Sequence, residues 1–64
     1  MDVVYLASQF IAGHKNHVAY VMSRENVRRT DIGRFIKQLR SILTINSDQI
    51  VGEFVQLYAE NMTA

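Results

Sequence analysis

The sequence predicts an all-α fold with three amphipathic helices, at about 2–24, 31–43 and 47–62. Apolar residues recur with helical spacing in three consecutive segments. The chain contains no proline and only three glycines, so nothing suggests a many-turned β fold. Alternating strand patterns persist for only a few residues, and residues 17–22 fit a short strand less well than a helix. With 64 residues, the whole of 1–64 is expected to form one helical domain.

The first predicted helix, 2–24, has one continuous apolar arc on a helical wheel. The arc contains Val3, Val4, Leu6, Ala7, Phe10, Ile11, Val18, Val21 and Met22. Its phase continues past Gly13, which favours one long helix. Glycine costs about 1 kcal/mol relative to alanine inside a helix, so a break at Gly13 stays open as the alternative.

The second and third predicted helices begin with favourable first turns. Thr30 is the expected N-cap of the second helix, and Asp31 follows it in the first turn. Asn46 or Ser47 is expected to cap the third helix, with Asp48 in its first turn. The apolar face of the second helix contains Ile32, Phe35, Ile36, Leu39, Ile42 and Leu43. The broad apolar face of the third contains Ile50, Val51, Phe54, Val55, Leu57, Tyr58 and Met62.

The apolar faces of the first and third helices predict a homodimer. Both are wider than the stripe of roughly 100° that covers one core. The chain has no cysteine, so disulfides are excluded as a source of stability. Surface left uncovered by so small a bundle is typical of an interface. The expected dimer or partner interface contains Phe10, Val18, Val21, Phe54, Leu57 and Tyr58.

The middle of the chain is basic although the net charge is only +1. This basic segment, 24–40, is a candidate contact for nucleic acid or for an acidic partner; it contains Arg24, Arg28, Arg29, Arg34, Lys37 and Arg40. A solvated outer face of an amphipathic helix is the alternative interpretation. A helix-turn-helix is disfavoured, because the third helix is acidic on its exposed face and carries no Arg or Lys.

His14 and His17 stand three residues apart, within or beside the apolar arc of the first helix. Three interpretations remain open. The pair is partly buried and hydrogen-bonded, it is a pH-sensitive pair at a dimer interface, or it supplies metal ligands from two chains. The first is favoured, and no third ligand is evident nearby.

The sequence predicts a protein that is not an enzyme. There is no cysteine nucleophile, no glycine-rich phosphate loop and no carboxylate pair on a shared apolar face. We therefore expect no catalytic residue, no cofactor and no resident metal. No apolar run is long enough to span a membrane. The segment from Met1 to Val4 lacks the positively charged n-region of a signal peptide. A cytoplasmic location is expected, with no membrane partner.

Three features of residues 21–62 stand out together: the run Met22 to Val27, the spacing of Ile32, Phe35-Ile36 and Leu39, and a final helix from Ile50 to Tyr58. In these features the chain resembles the small enterobacterial biofilm and acid-resistance regulators of the YmgB type. The resemblance implies helical chains that dimerise and act as connectors between other regulators. The acidic stretch that this family has between its last two helices is shortened here to residues 44–46, and no functional residue is carried over.

Two functions follow from these patterns. The first is a small regulatory or adaptor protein that binds an unknown partner protein through exposed apolar helix surface. The second is a small DNA-binding transcriptional regulator that uses the basic segment.

Overall fold

The computed structural model describes residues 1–24 and 27–63, and this part of the chain forms four helices without a strand. They are α1 (Val3–Ile11), α2 (Lys15–Arg24), α3 (Arg29–Ile42) and α4 (Ser47–Thr63). The predicted all-α class is confirmed. The predicted number of three helices is wrong, because the first predicted helix is two helices.

Gly13 ends α1 and separates it from α2. Its φ of 108° is in the left-handed half of backbone space, which glycine adopts at little cost. The Gly13 amide donates to the carbonyl of Phe10 at 3.1 Å, and the His14 amide donates to that of Gln9 at 3.0 Å. These two bonds form a Schellman cap, which satisfies the last carbonyls of α1. The helical phase continues past Gly13 because α1 and α2 both turn their apolar residues toward one core.

Short polar side chains define the other helix starts. The Asp2 carboxylate accepts from the backbone amide of Tyr5 at 3.0 Å and caps α1. At α3, Asp31 accepts from the amide of Arg28 at 3.2 Å, so the helix begins at Arg29 and Thr30 lies inside it. The predicted cap at Thr30 is therefore wrong, whereas Asp31 is in the first turn as predicted.

The start of α4 agrees with the predicted boundary at residue 47. Asn46 has a φ of 62°, a left-handed conformation that asparagine tolerates better than most residues. Its carbonyl accepts from the amide of Ile50 at 3.3 Å. Asp48 follows in the first turn, where a negative charge suits the helix dipole.

Three phenylalanine rings from three helices form the centre of the core. Phe10 of α1 meets Phe35 of α3 and Phe54 of α4 edge-on, with ring centroids 6.0 Å and 5.8 Å apart. Phe35 and Phe54 lie closer, at 4.5 Å. Such pairs add to the stabilisation from burial alone. The other buried apolar residues are Val3, Ala7, Val18, Ala19, Met22, Leu39 and Val51. In the described part of the chain, no polar or charged side chain is buried.

The helices pack in two main pairs. α1 lies against α3, and α2 lies against α4, with smaller contacts between α3 and α4 and between α1 and α2. Within residues 1–24 and 27–63, no helix has the length and apolar character needed to cross a bilayer. The pairing of α1 with α3 places a helix without charged residues beside the basic residues of α3.

Candidate partner-binding surface

The outer face of α1 is apolar although it faces solvent. α1 contains no charged residue, and its core positions are filled by Val3, Ala7 and Phe10. Val4 and Tyr5 lie on the other side of the helix and are 56% and 58% exposed. Met1, immediately before the helix, is also exposed. Val4 and Tyr5 are adjacent in the sequence, and Met1 stands three and four residues before them.

The outer face of α3 is basic. Phe35 and Leu39 turn inward, and this orientation leaves Arg34, Lys37 and Arg40 exposed on the opposite side. Arg24, Arg28 and Arg29 are exposed as well. All six residues of the predicted basic segment are therefore accessible to a partner.

A cleft of about 290 Å³ lies where the apolar face of α1 meets the basic face of α3. We call it the α1–α3 cleft. Its lining consists of Val3, Val4, Arg34, Lys37, Gln38 and Ser41. None of these residues, all of which lie in the described part of the chain, carries a carboxylate. The cleft thus combines an apolar wall on α1 with two cations and two neutral hydrogen-bonding side chains on α3.

The two cations of the cleft are weakly held by the protein itself. The Arg34 guanidinium is 3.6 Å from Asp31 and its side chain is 65% exposed. The Asp31 side chain is only 15% exposed, but the distance of 3.6 Å is longer than that of a charge-assisted hydrogen bond. Lys37 forms no ion pair within residues 1–24 and 27–63. Both side chains are therefore available to an anionic group that enters the cleft.

Arg40 and Lys15 have closer partners. Arg40 donates to Asp48 at 2.5 Å, which joins the end of α3 to the start of α4. Lys15 donates to Glu53 at 2.6 Å and joins α2 to α4. Arg24 lies over the ring of Tyr20, with its guanidinium carbon 5.8 Å from the ring centroid. The α1–α3 cleft brings two loosely held cations of the basic segment together with the exposed Val4.

The residues predicted to form an interface lie mainly inside the protein. Phe10, Val18 and Phe54 belong to the core and are at most 1% exposed, so their assignment to an interface is corrected. Val21, Leu57 and Tyr58 are half-buried. A helical wheel identifies an apolar arc but does not say which part of it another helix of the same chain covers.

Val4 and Tyr5 are the interface candidates that the sequence interpretation missed. The apolar arc of the first predicted helix contains Val4 but not Tyr5. The available signal was the absence of any charged residue from 3 to 11. A helix that faces water on one side normally carries charges there.

The histidines are not placed as the sequence predicted. His14 lies between α1 and α2, His17 lies in the first turn of α2, and both are exposed. The expectation of partly buried rings is therefore wrong. It assumed a continuous helix, and the turn at Gly13 rotates this region away from the core. Within the described residues, no group of three or more histidine, aspartate or glutamate side chains is placed to hold a metal ion.

Comparisons with protein-family models, with curated proteins and with solved structures found no match in any of the three. The resemblance to the regulators of the YmgB type stays a prediction. Two residues of the run that prompted it, Glu25 and Asn26, lie outside the described residues.

Proposed function

We propose that this chain is a non-enzymatic regulatory or adaptor protein of the cytoplasm that binds a partner protein. The proposed contact is the α1–α3 surface, defined as the α1–α3 cleft together with Met1 and Tyr5, which are exposed and close to Val4 in the sequence. One observation carries the proposal: a helix without charged residues exposes large apolar side chains directly beside two available cations. Protein interfaces combine an apolar centre with a polar rim in this way.

The chemistry of the cleft supports binding over catalysis. Ser41 is the one hydroxyl in its lining, and no histidine or carboxylate lines the cleft with it. A serine needs a neighbouring base to act as a nucleophile. The cleft volume of about 290 Å³ is also at the lower end of the range of roughly 300–1,000 Å³ for small-molecule sites. A few side chains of a partner protein fill such a space well.

Photo-crosslinking from the α1–α3 surface tests the proposal. A photoreactive phenylalanine analogue replaces Tyr5, and in a matched variant it replaces Tyr20, which is an exposed tyrosine on α2. In the native cell, treated with nuclease before analysis, we expect position 5 to form an adduct with a discrete partner protein. Position 20 is expected to form little or none. An absence of adducts from position 5, or equal adducts from both positions, contradicts the proposal.

We also propose that the chain forms a homodimer through the flank of α4. Val55 and Met62 are two turns apart on α4 and both are exposed, with the small exposed Ala59 between them. This is the apolar surface of α4 that the other helices leave uncovered. A second copy with the same flank would bury it symmetrically.

Sedimentation of matched variants tests the dimer. Val55→Lys is expected to shift the protein from dimer to monomer without loss of helical circular dichroism. Gln56→Lys places the same charge on the neighbouring exposed position and should leave the dimer unchanged. A folded wild-type protein that sediments as a monomer at high micromolar concentration would rule the dimer out.

DNA binding by the basic segment is the second candidate function. The observation that favours it is the exposure of all six cations, four of them on α3. α4 is unsuited to DNA because it carries Asp48, Glu53 and Glu60 and no basic residue. A gel shift titrated with salt should weaken steeply if phosphate contacts carry the binding. Absence of a shift at low salt, or a shift that persists when Arg34 and Arg40 are both replaced by alanine, would reject this candidate.

A further inference from the structure

The α1 side and the α3 side of the α1–α3 cleft differ in chemistry. Val3 and Val4 form an apolar wall on α1, and Arg34 and Lys37 contribute two positive charges from α3. Lys37 is one turn from Arg34 along α3, so the two charges project from adjacent positions of the same face. An occupant of this cleft must therefore match an apolar contact and two neighbouring cations at once.

We propose that the α1–α3 cleft binds a short acidic amphipathic segment of the partner protein. An apolar side chain of that segment packs against Val4, beside the largely buried Val3, and aspartate or glutamate side chains next to it pair with Arg34 and Lys37. This inference rests on the proposed function and specifies the chemistry of its partner. It assigns the partner by charge complementarity, because the lining presents two cations and no carboxylate, and the nearby Asp31, outside the lining, pairs with Arg34 at 3.6 Å.

The polar lining of the cleft fits a polypeptide backbone. The half-buried Gln38 and the exposed Ser41 lie in the lining with the two cations. The glutamine amide both donates and accepts hydrogen bonds, and so does the serine hydroxyl. These groups suit the N–H and C=O groups that a peptide exposes at a helix end or in an extended stretch. The cations of the cleft can thus bind acidic side chains of a peptide, while Gln38 and Ser41 can form hydrogen bonds with its backbone.

The same features disfavour a nucleic-acid occupant of the cleft. The phosphate backbone of a nucleic acid would leave the exposed Val4 and Tyr5 without an apolar partner. Two cations also neutralise few phosphates, and affinity for nucleic acid rises with the number neutralised. An acidic segment with an apolar residue uses both parts of the cleft.

The probe for the test is a labelled synthetic peptide in which leucines recur at helical spacing between glutamates. A second peptide has lysine in place of each glutamate, and a third has serine in place of each leucine. Fluorescence anisotropy with the full-length chain measures their affinities, and amide chemical shifts of the isotopically labelled chain locate the binding. We expect the acidic peptide to bind and to shift the amides of Val4, Gln38 and Ser41. Both control peptides should bind at least about tenfold more weakly.

Charge reversal on α3 provides the matched protein variants. Lys37→Glu reverses a cation in the cleft, whereas Arg29→Glu reverses an exposed cation of the same helix that lies outside the lining. We expect Lys37→Glu to lower the affinity for the acidic peptide by at least about tenfold, because it removes one charge-assisted contact and adds repulsion. Arg29→Glu should lower the same affinity by no more than about threefold, through long-range charge alone. Circular dichroism checks that both variants fold.

Several outcomes overturn the inference. It fails if the acidic peptide does not bind, if Lys37→Glu and Arg29→Glu weaken it equally, or if the serine peptide binds as well as the leucine peptide. Binding of a duplex oligonucleotide in place of the peptide also overturns it and favours the second candidate function. If the peptide does not bind but position 5 still crosslinks to a partner protein, the cleft chemistry is wrong and the proposed function stands. If both experiments are negative, both fail.

Discussion

Phe54 provides the strongest test of the fold, because its ring joins three helices. It lies on α4 and is 1% exposed. Its ring centroid is 5.8 Å from that of Phe10 and 4.5 Å from that of Phe35, and Tyr58 lies one turn further along α4 at 5.7 Å. Phe54→Ala would therefore leave a cavity bounded by α1, α3 and α4.

The expected loss is a large part of the total stability. Truncation of a core phenylalanine to alanine costs about 3–5 kcal/mol. A chain of 64 residues has a free energy of unfolding of about 3–10 kcal/mol in all, at the usual stability per residue. Phe54→Ala should thus lose at least about a third of the free energy of unfolding, and it should be unfolded at room temperature if the total lies at the lower end of this range. Phe54→Leu retains most of the apolar volume and should cost about 1–2 kcal/mol.

Urea unfolding followed by far-ultraviolet circular dichroism measures both variants. The protein concentration is held fixed, because self-association adds to apparent stability. Gln56→Ala, at an exposed position of the same helix, is the matched control and should change the free energy of unfolding by no more than about 0.5 kcal/mol. A Phe54→Ala protein that unfolds at nearly the wild-type urea midpoint would refute the three-ring core.

Three further predictions concern local structure, each measured by urea unfolding. Gly13→Ala should cost about 1–2 kcal/mol, because the φ of 108° strains a residue with a Cβ; Gly33→Ala, with open space around its helical position, should stabilise by up to about 1 kcal/mol. An equal effect at both glycines would contradict the turn. Asp2→Ala should cost about 1 kcal/mol through loss of the α1 cap, and Asp2→Asn, which retains a capping oxygen, should lose less. Glu53→Gln should cost less than about 1 kcal/mol, and the difference should vanish in high salt, since its partner Lys15 is partly exposed; a loss that salt does not change would contradict a simple ion pair.

The sequence was informative wherever the cause of a structure is local. Helical periodicity predicted α3 and α4 to within two residues at each end, because the spacing of apolar residues and the first-turn aspartates act over only a few positions. The same local information favoured a continuous helix through Gly13, with a break there as the alternative, and the structure shows the break. A glycine inside a helix lowers helix stability by only about 1 kcal/mol, so it does not decide by itself whether the helix breaks. The packing of α2 against α4, which requires the break, is not visible in the local sequence.

By itself, the sequence determined that this chain is helical, which side of each helix is apolar and where the positive charges are concentrated. Only the tertiary structure decided which apolar side chains another helix covers. Phe10, Val18 and Phe54 are inside, whereas Val4 and Tyr5 remain outside, and Val4 lines the α1–α3 cleft with Lys37. The physical reason is that burial depends on contacts between segments distant in sequence, and the width of an apolar arc does not state which of its residues those contacts will reach.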